Sequence, residues 1–484
     1  MLKQIKQQFK SFDDASFIHA LKLFIIASLF IVGYGFVFSG FQVVDEFEHL
    51  HASWLVSQGK LPYRDFFEHH HPLLWYLSSP IVLVFYDNAI VFYVMRLISL
   101  GCSCLTIFYI YKISQFFLNI KGGWLAISLS FCNIISLYNF YQFRPDNFMN
   151  LFFIMGIYFW FCYLDKKQLK TLILSFIYFG ISFLFLQKIG LILSTVISIL
   201  LRLTFTHKMK FKNIVIASIP CIILVVLCFA YFIINGAEIE FYALNYRFNQ
   251  ALVYYFDRGS FWLGNLFASI YGITFFIALY LFRKENLYFK IISILYCSEF
   301  LMRTFYFSPH PNYYTTLVFL NALVLSLFLT KHVGKYFISN ILIIIVLFLY
   351  QGFLFNKIIQ TSEKHNSYNN FKLASYVHQN SNKDDIIMNG YDKSFNIYRP
   401  DASYYWFGLD MLIPVMEQEF GLKKIIDVND VIINKRPKFI YTKNHIDLRA
   451  FRMYGETKFS QVYEASLIKS LYKPTDFEHL VTLK

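Results

Sequence analysis

The chain has 484 residues, is 57% hydrophobic with a mean hydropathy of +0.47, and carries a formal charge of +14. Its apolar residues form long continuous runs, which excludes a soluble globular domain and calls for a polytopic protein of membrane-spanning helices. The basic residues stand in short loops between those runs, so the charge reads as a topology signal, and no nucleic-acid partner is expected.

The first apolar run, Leu21–Phe41, follows Lys3, Lys6, Lys10 and Lys22, which sets the N-terminus in the cytoplasm. It lacks a small-residue cleavage site and is expected to stay as an anchor. A loop over 42–88 is then outside. Within it, 45–58 reads as a helix, with Phe47, Leu50, Trp54 and Leu55 on one face and Gly59 and Pro62 ending it. Leu73–Phe85 is apolar but too short for a full crossing, and is expected to lie at the interface or re-enter. Further spans are expected near 89–111, 123–141 and 147–164, then up to Gln187-Lys188, back to Arg202, and over 213–234. After an outer loop at 235–260, a span returns to Arg283 and another emerges before Ser308-Pro309-His310-Pro311. The last two return to Lys331 and cross again over 336–355, giving about eleven spans and an outside C-terminus by lysine placement. Beyond Asn356 the spanning runs stop. Helical patterns at Phe371–Asn380 and Gly421–Lys435 alternate with strand patterns at Asp385–Asn389 and Lys438–Tyr441, the signature of a small α/β domain. The seven cysteines all lie in apolar segments without metal-site spacing.

Chemistry concentrates in Val44–Pro72, where Asp45, Glu46, Glu48, His49, His51, Asp65 and Glu68 to His71 press against a membrane segment. Asp45-Glu46 directly follows the first span. A carboxylate there can take a proton from a hydroxyl at the membrane surface. Asp45 with Glu48 three residues on also fits a capping box. Arg144-Pro145-Asp146 falls at an outer boundary: Asp146 either favours a helix start or acts as a second acid holding a metal or the acceptor. Glu68 with His69, His70 and His71 can bind a divalent metal, but consecutive histidines on a regular helix cannot all face one ion, so substrate contact is the favoured role. Lys188, Arg247, Arg258 and His310 place positive charge on the outer side, as a phosphate leaving group requires.

These residues carry a family resemblance. Asp45-Glu46, Gly59, Pro62-Tyr63-Arg64-Asp65 and His71-Pro72 resemble the first outer loop of bacterial lipid-linked-sugar glycosyltransferases of the GT-C fold, related to protein mannosyltransferases and to the lipid A aminoarabinose transferase. Arg144-Pro145-Asp146, Leu186-Gln187-Lys188, Pro309–Tyr314 and the tail segments Asp384–Ile387 and Arg436–Ile440 resemble later parts of the same family. The resemblance implies a GT-C transmembrane domain over 1–355 and an extracytoplasmic α/β domain over 356–484, in a bacterial cytoplasmic membrane. It implies an inverting enzyme taking a sugar from a polyprenyl-phosphate donor to a glycan, lipid or protein acceptor of the envelope. Asp45 carries over as the base, with Glu46 beside it and Asp146 as the second acid. Lys188 carries over to the lipid phosphate; Arg64, Asp65, His69, His71, Arg144, His310 and Tyr313 are read as substrate contacts, with Tyr313 and Tyr314 also fitting an interfacial aromatic belt. The triple histidine departs from the common pattern and leaves metal dependence open. The alternatives are a flippase or transporter of lipid-linked glycans, and a glycan polymerase or ligase.

Overall fold

The computed structural model describes residues 14–39, 43–250, 269–305, 314–333, 337–389, 395–402, 404, 428–442 and 465–484. Among them seven helices are long and apolar enough to cross a membrane: Asp14–Phe38, Val91–Ser114, Pro145–Lys166, Gln187–Phe205, Phe211–Ile234, Thr315–Val333 and Ile338–Glu363. Leu73–Val84, Leu169–Phe185 and Ile270–Phe282 are shorter apolar helices. The chain divides into two compact units.

The first unit comprises Met1–Ser39, Leu97–Leu227 and Arg258–Lys364. Its core helix is Thr315–Phe328, buried on every side from Thr315 to Leu327. Small and polar side chains let its neighbours approach, as helix packing in lipid requires. Thr316 donates to Asn150 at 2.6 Å, and Asn139 donates to Thr315. Pro145–Lys166 and Leu169–Phe185 form a tight hairpin. Lys167 caps the first helix at φ 55°, Gly156 lies under the Phe179 ring, and Ser175 donates to the Gly156 carbonyl at 2.8 Å. Ile222, Ile223, Val226 and Leu227 on Phe211–Ile234 are exposed, as a lipid-facing helix would leave them.

Two expectations are corrected here. The stretch 123–141 is not one helix but two, Ile120–Ser130 and Ile134–Asn139, broken at 131–133. Ser136 answers the break by donating to the Ser130 carbonyl at 2.7 Å, since backbone freed inside a membrane protein needs a local partner. The final span runs on to Lys364, past the expected end at 355.

The second unit comprises Gly40–Arg96, Cys228–Asp257 and His365–Lys484. The helix Val43–Ser57 buries Phe47, Leu50, Trp54 and Leu55, the face read from the sequence. It ends as expected at Gly59, whose φ of 78° suits glycine. Lys60 N–H then reaches back to the Leu55 carbonyl in a Schellman closure. The helix starts at Val43, so Asp45 sits inside the first turn and does not cap it. Helix Leu73–Val84 packs alongside, with Ser53 and Ser78 hydroxyls 2.6 Å apart.

Among the described residues, the α/β part of this unit is a four-stranded sheet ordered β1-β2-β4-β3, from β1 Ile387–Met388, β2 Phe439–Tyr441, β3 Tyr472–Pro474 and β4 Leu480–Leu483. β1 and β2 are parallel, and the other pairs antiparallel. Helix Ser367–Gln379, capped by Asn366, lays Tyr376 against Phe439 and Phe477. The β3–β4 hairpin was not anticipated, and β1 is shorter than the expected 385–389. Helix Val428–Lys435 matches the end of the expected 421–435, whose earlier part lies outside the described residues. Residues 395–402 dock on the first loop: Tyr398 donates to the Phe85 carbonyl at 2.8 Å, and Arg399 meets Asp87 at 2.7 Å.

Candidate active site

In the second unit, helix Val43–Ser57 holds Glu48 inward against the extended segment that carries Glu68, His69 and His70. One ligating atom from each of these four residues lies within 4.8 Å of all the others. Glu48 and Glu68 are buried, and burial holds both carboxyls well above their ordinary pKa, with the neighbouring charge of Glu68 adding to the effect on Glu48. Burial pushes His69 down to about 4, so its imidazole is neutral at pH 7. The His69 backbone N–H donates to Glu68 at 3.2 Å, and His70 Nδ1 lies 3.5 Å from Glu68 Oε2. Two carboxylates buried side by side cannot both ionise without a shared proton or a cation between them. Carboxylates with neutral imidazoles are the donor set of a divalent metal site, and these residues fit one.

The sequence reading set metal binding aside because consecutive histidines on a helix diverge. Residues 67–70 are not helical, which removes that objection: the His69 and His70 rings stand 4.0 Å apart. His71 turns away instead, stacking on Phe241 with Nε2 3.0 Å from the Tyr246 hydroxyl. Glu68 and His70 were read as possible metal ligands without being favoured as such, and Glu48 only as a capping partner of Asp45. The available signal was the run of acids and histidines, but the fold-back that joins its two ends is a tertiary contact.

The adjacent acids Asp45 and Glu46 part company. Glu46 is fully buried and clasped by Arg96, with Nε–Oε1 at 2.9 Å and Nη2–Oε2 at 2.5 Å. The same guanidinium lies over Phe92 at 4.3 Å and donates to Ser367 at 3.2 Å. Arg96 was not anticipated, because it arrives from a helix read as an ordinary span. Asp45, one residue earlier, is half-buried. Arg64 and Asp65 pair with each other at the surface, with Nε–Oδ1 at 2.9 Å, and Asp65 accepts from the Leu61 N–H at 2.7 Å.

In the first unit, Arg144 precedes helix Pro145–Lys166 in an extended conformation, with Pro145 opening the first turn as read. Asp146 is buried beneath it, paired with Lys188 and 3.5 Å from Arg144 Nε. The structure thus joins Lys188 to the Arg144-Pro145-Asp146 motif, which the sequence offered separately. Glu299 and Arg303 form a further buried pair one helical turn apart, 2.7 Å from Nε to Oε1. His310 and Tyr313 lie outside the described residues.

These features define a polytopic membrane protein whose buried charge is gathered in an acid-rich first loop and at the start of helix Pro145–Lys166. Residues 69–234 match the family of dolichyl-phosphate-mannose-protein mannosyltransferases. The fold is similar to the crystal structure of ArnT from Cupriavidus metallidurans in the apo state, at 10% identity and a TM-score of 0.52, covering 78% of this chain and 84% of that one. The undecaprenyl phosphate-bound form of the same ArnT gives 10% identity and a TM-score of 0.48, covering 74% and 72%. Comparison with curated proteins gives no match. The chain has the GT-C fold, and the family match over 69–234 and the likeness to apo ArnT are consistent with the family resemblance read from the sequence.

Proposed function

We propose that the protein is an inverting glycosyltransferase that moves a hexosyl or pentosyl group from a polyprenyl-phosphate donor to an envelope glycan, lipid or protein. In this reading the N-terminus is cytoplasmic, and the first loop and the C-terminal domain face outward. The acceptor hydroxyl loses its proton to Asp45 and attacks the anomeric carbon, and polyprenyl phosphate leaves. The observation that carries the assignment is the commitment of Glu46 to Arg96, which favours Asp45 as the acid that acts.

Lys188 and Arg144 take the donor phosphate. Asp146, the second acid, keeps both cations paired and oriented before the donor arrives. Arg64, Asp65 and His71 serve the acceptor side. Glu48, Glu68, His69 and His70 would hold a divalent cation, which would supply Lewis-acidic positive charge to the first loop when bound.

The test is transfer by purified protein from labelled polyprenyl-phosphate sugars to an envelope extract. A labelled product that Asp45→Asn abolishes supports the reading. Normal transfer by Asp45→Asn, or no product from any such donor, overturns it.

A further inference from the structure

The second unit contains a cleft of about 820 Å³, within the range of small-ligand sites. None of the acid–histidine cluster lines it. It opens at the C-terminal end of helix Val43–Ser57, where Trp54 and Leu55 form one wall, about 15 Å along the helix axis from Asp45 at 1.5 Å per residue. The C-terminal domain adds Lys383, Asp384, Asp401 and Tyr404 to the lining.

Its lining discriminates between ligand classes. A phosphate or polyanion site needs cations left to meet it, and of the four cations in this lining three are engaged or offset, the fourth being the exposed Lys60. Arg64 is forked onto Asp65, Lys435 donates to the Ala402 carbonyl at 2.7 Å, and Lys383 lies over the Tyr86 ring at 5.4 Å. The carboxylates Asp384 and Asp401 would repel an anion as well. What remains is aromatic surface from Tyr86 and Tyr404, both half-buried, beside carboxylate acceptors.

Asp401 is fixed in place. His51 Nε2 lies 2.6 Å from Asp401 Oδ2, while its Nδ1 faces the Ile397 carbonyl at 3.1 Å. Both ring nitrogens therefore face oxygen atoms, one of the Asp401 carboxylate and one of the Ile397 carbonyl. Asn396 donates to the other carboxylate oxygen at 3.2 Å. A carboxylate oriented from behind by a buried histidine is a pre-organised acceptor for hydroxyl groups. Aromatic faces beside such acceptors suit a ligand with an apolar C–H face and a hydroxyl edge.

We propose that this cleft binds a saccharide, and that it holds a part of the acceptor glycan remote from the reacting hydroxyl. The second half of the statement rests on the glycosyltransferase reading. Binding remote from the reacting centre is a recognised source of catalytic specificity.

The test uses the full-length protein in nanodiscs without donor. Saturation-transfer NMR is run against a panel of neutral tri- and tetrasaccharides, the same series carrying phosphate, and vesicles containing anionic lipid. Neutral saccharides should bind, and Asp384→Asn should weaken the best of them about tenfold or more, as the loss of a charged acceptor predicts. The Asp384 side chain is exposed, so the thermal midpoint should not move. Tyr86→Ala should remove binding. Absence of saccharide binding at millimolar concentration, equal binding by the variants, or binding confined to phosphorylated sugars or anionic vesicles overturns the proposal. Because no donor is present, a protein that binds saccharide but transfers none counts against the glycosyltransferase reading alone. One that transfers sugar yet shows no saccharide binding here counts against the cleft alone.

Discussion

Asp45 and Glu46 are adjacent carboxylates given opposite work by a rotation of about 100° around one helix. Asp45→Asn removes charge and proton acceptor while keeping shape, so transfer should fall by about 10²-fold or more with the thermal midpoint unchanged. Glu46→Gln should behave in the reverse way. It leaves Arg96 buried without its carboxylate, and breaking such a pair costs about 3–5 kcal/mol, so the loss should appear in thermal unfolding and expression. If Glu46→Gln is stable and Asp45→Asn unfolds, the two roles are exchanged. Asp146 poses the same question in the first unit. Asp146→Asn alone should destabilise through the stranded Lys188 and Arg144. Adding Lys188→Met should recover part of the loss, and a double-mutant cycle measures the coupling. Strict additivity would mean that the pair does not act as a unit. The sequence identified Asp45, Glu46, Asp146 and Lys188 as candidates from composition and position. It could not assign partners, because Arg96 lies 50 residues from Glu46 and Lys188 lies 42 from Asp146.

Among elements, the helix Val43–Ser57 and the extended segment before Pro72 together build the four-residue cluster. If it holds a divalent cation, protein purified without chelator should carry metal by mass spectrometry, and Glu48→Gln or Glu68→Gln should lose it. The pH dependence follows from the two kinds of group. The carboxyls are raised by burial, so the metal-free pair retains a proton that the cation must expel, and affinity should rise with pH. His69 is depressed to about 4 and has no proton to lose at pH 7. Without metal the raised carboxyls favour the fold below their unfolded values, and that contribution is lost as pH rises through the folded ones. Calorimetry in buffers of different ionisation enthalpy should detect the released proton. Metal affinity that is flat or falls from pH 5 to 8 would sink this account. Helix existence was legible from apolar run length, as at Val91–Ser114 and Pro145–Lys166, and from the Gly59 stop. The break between Ile120–Ser130 and Ile134–Asn139 was not, because no proline or glycine marks it and Asn133 is the lone polar residue at 131–133 inside an apolar run.

At the scale of the molecule, composition was enough to read a polytopic helical protein, but not that the first loop and the C-terminal domain share one compact unit. That sharing depends on contacts such as His51 with Asp401, 350 residues apart, which periodicity cannot show. It also sharpens the topology test. Lysine placement puts both Lys60 and Lys383 outside, and the structure lines one cleft with both. In a background lacking the seven native cysteines, Lys60→Cys and Lys383→Cys should each react with an impermeant thiol reagent in intact spheroplasts. Lys167→Cys should react only after permeabilisation. The two arms fail differently. If Lys60→Cys and Lys383→Cys are both protected and Lys167→Cys is labelled, the orientation is inverted while the pairing of loop and C-terminal domain survives. If Lys60→Cys and Lys383→Cys label from opposite sides, no orientation rescues the cleft, because residues across a bilayer from each other cannot line one cleft.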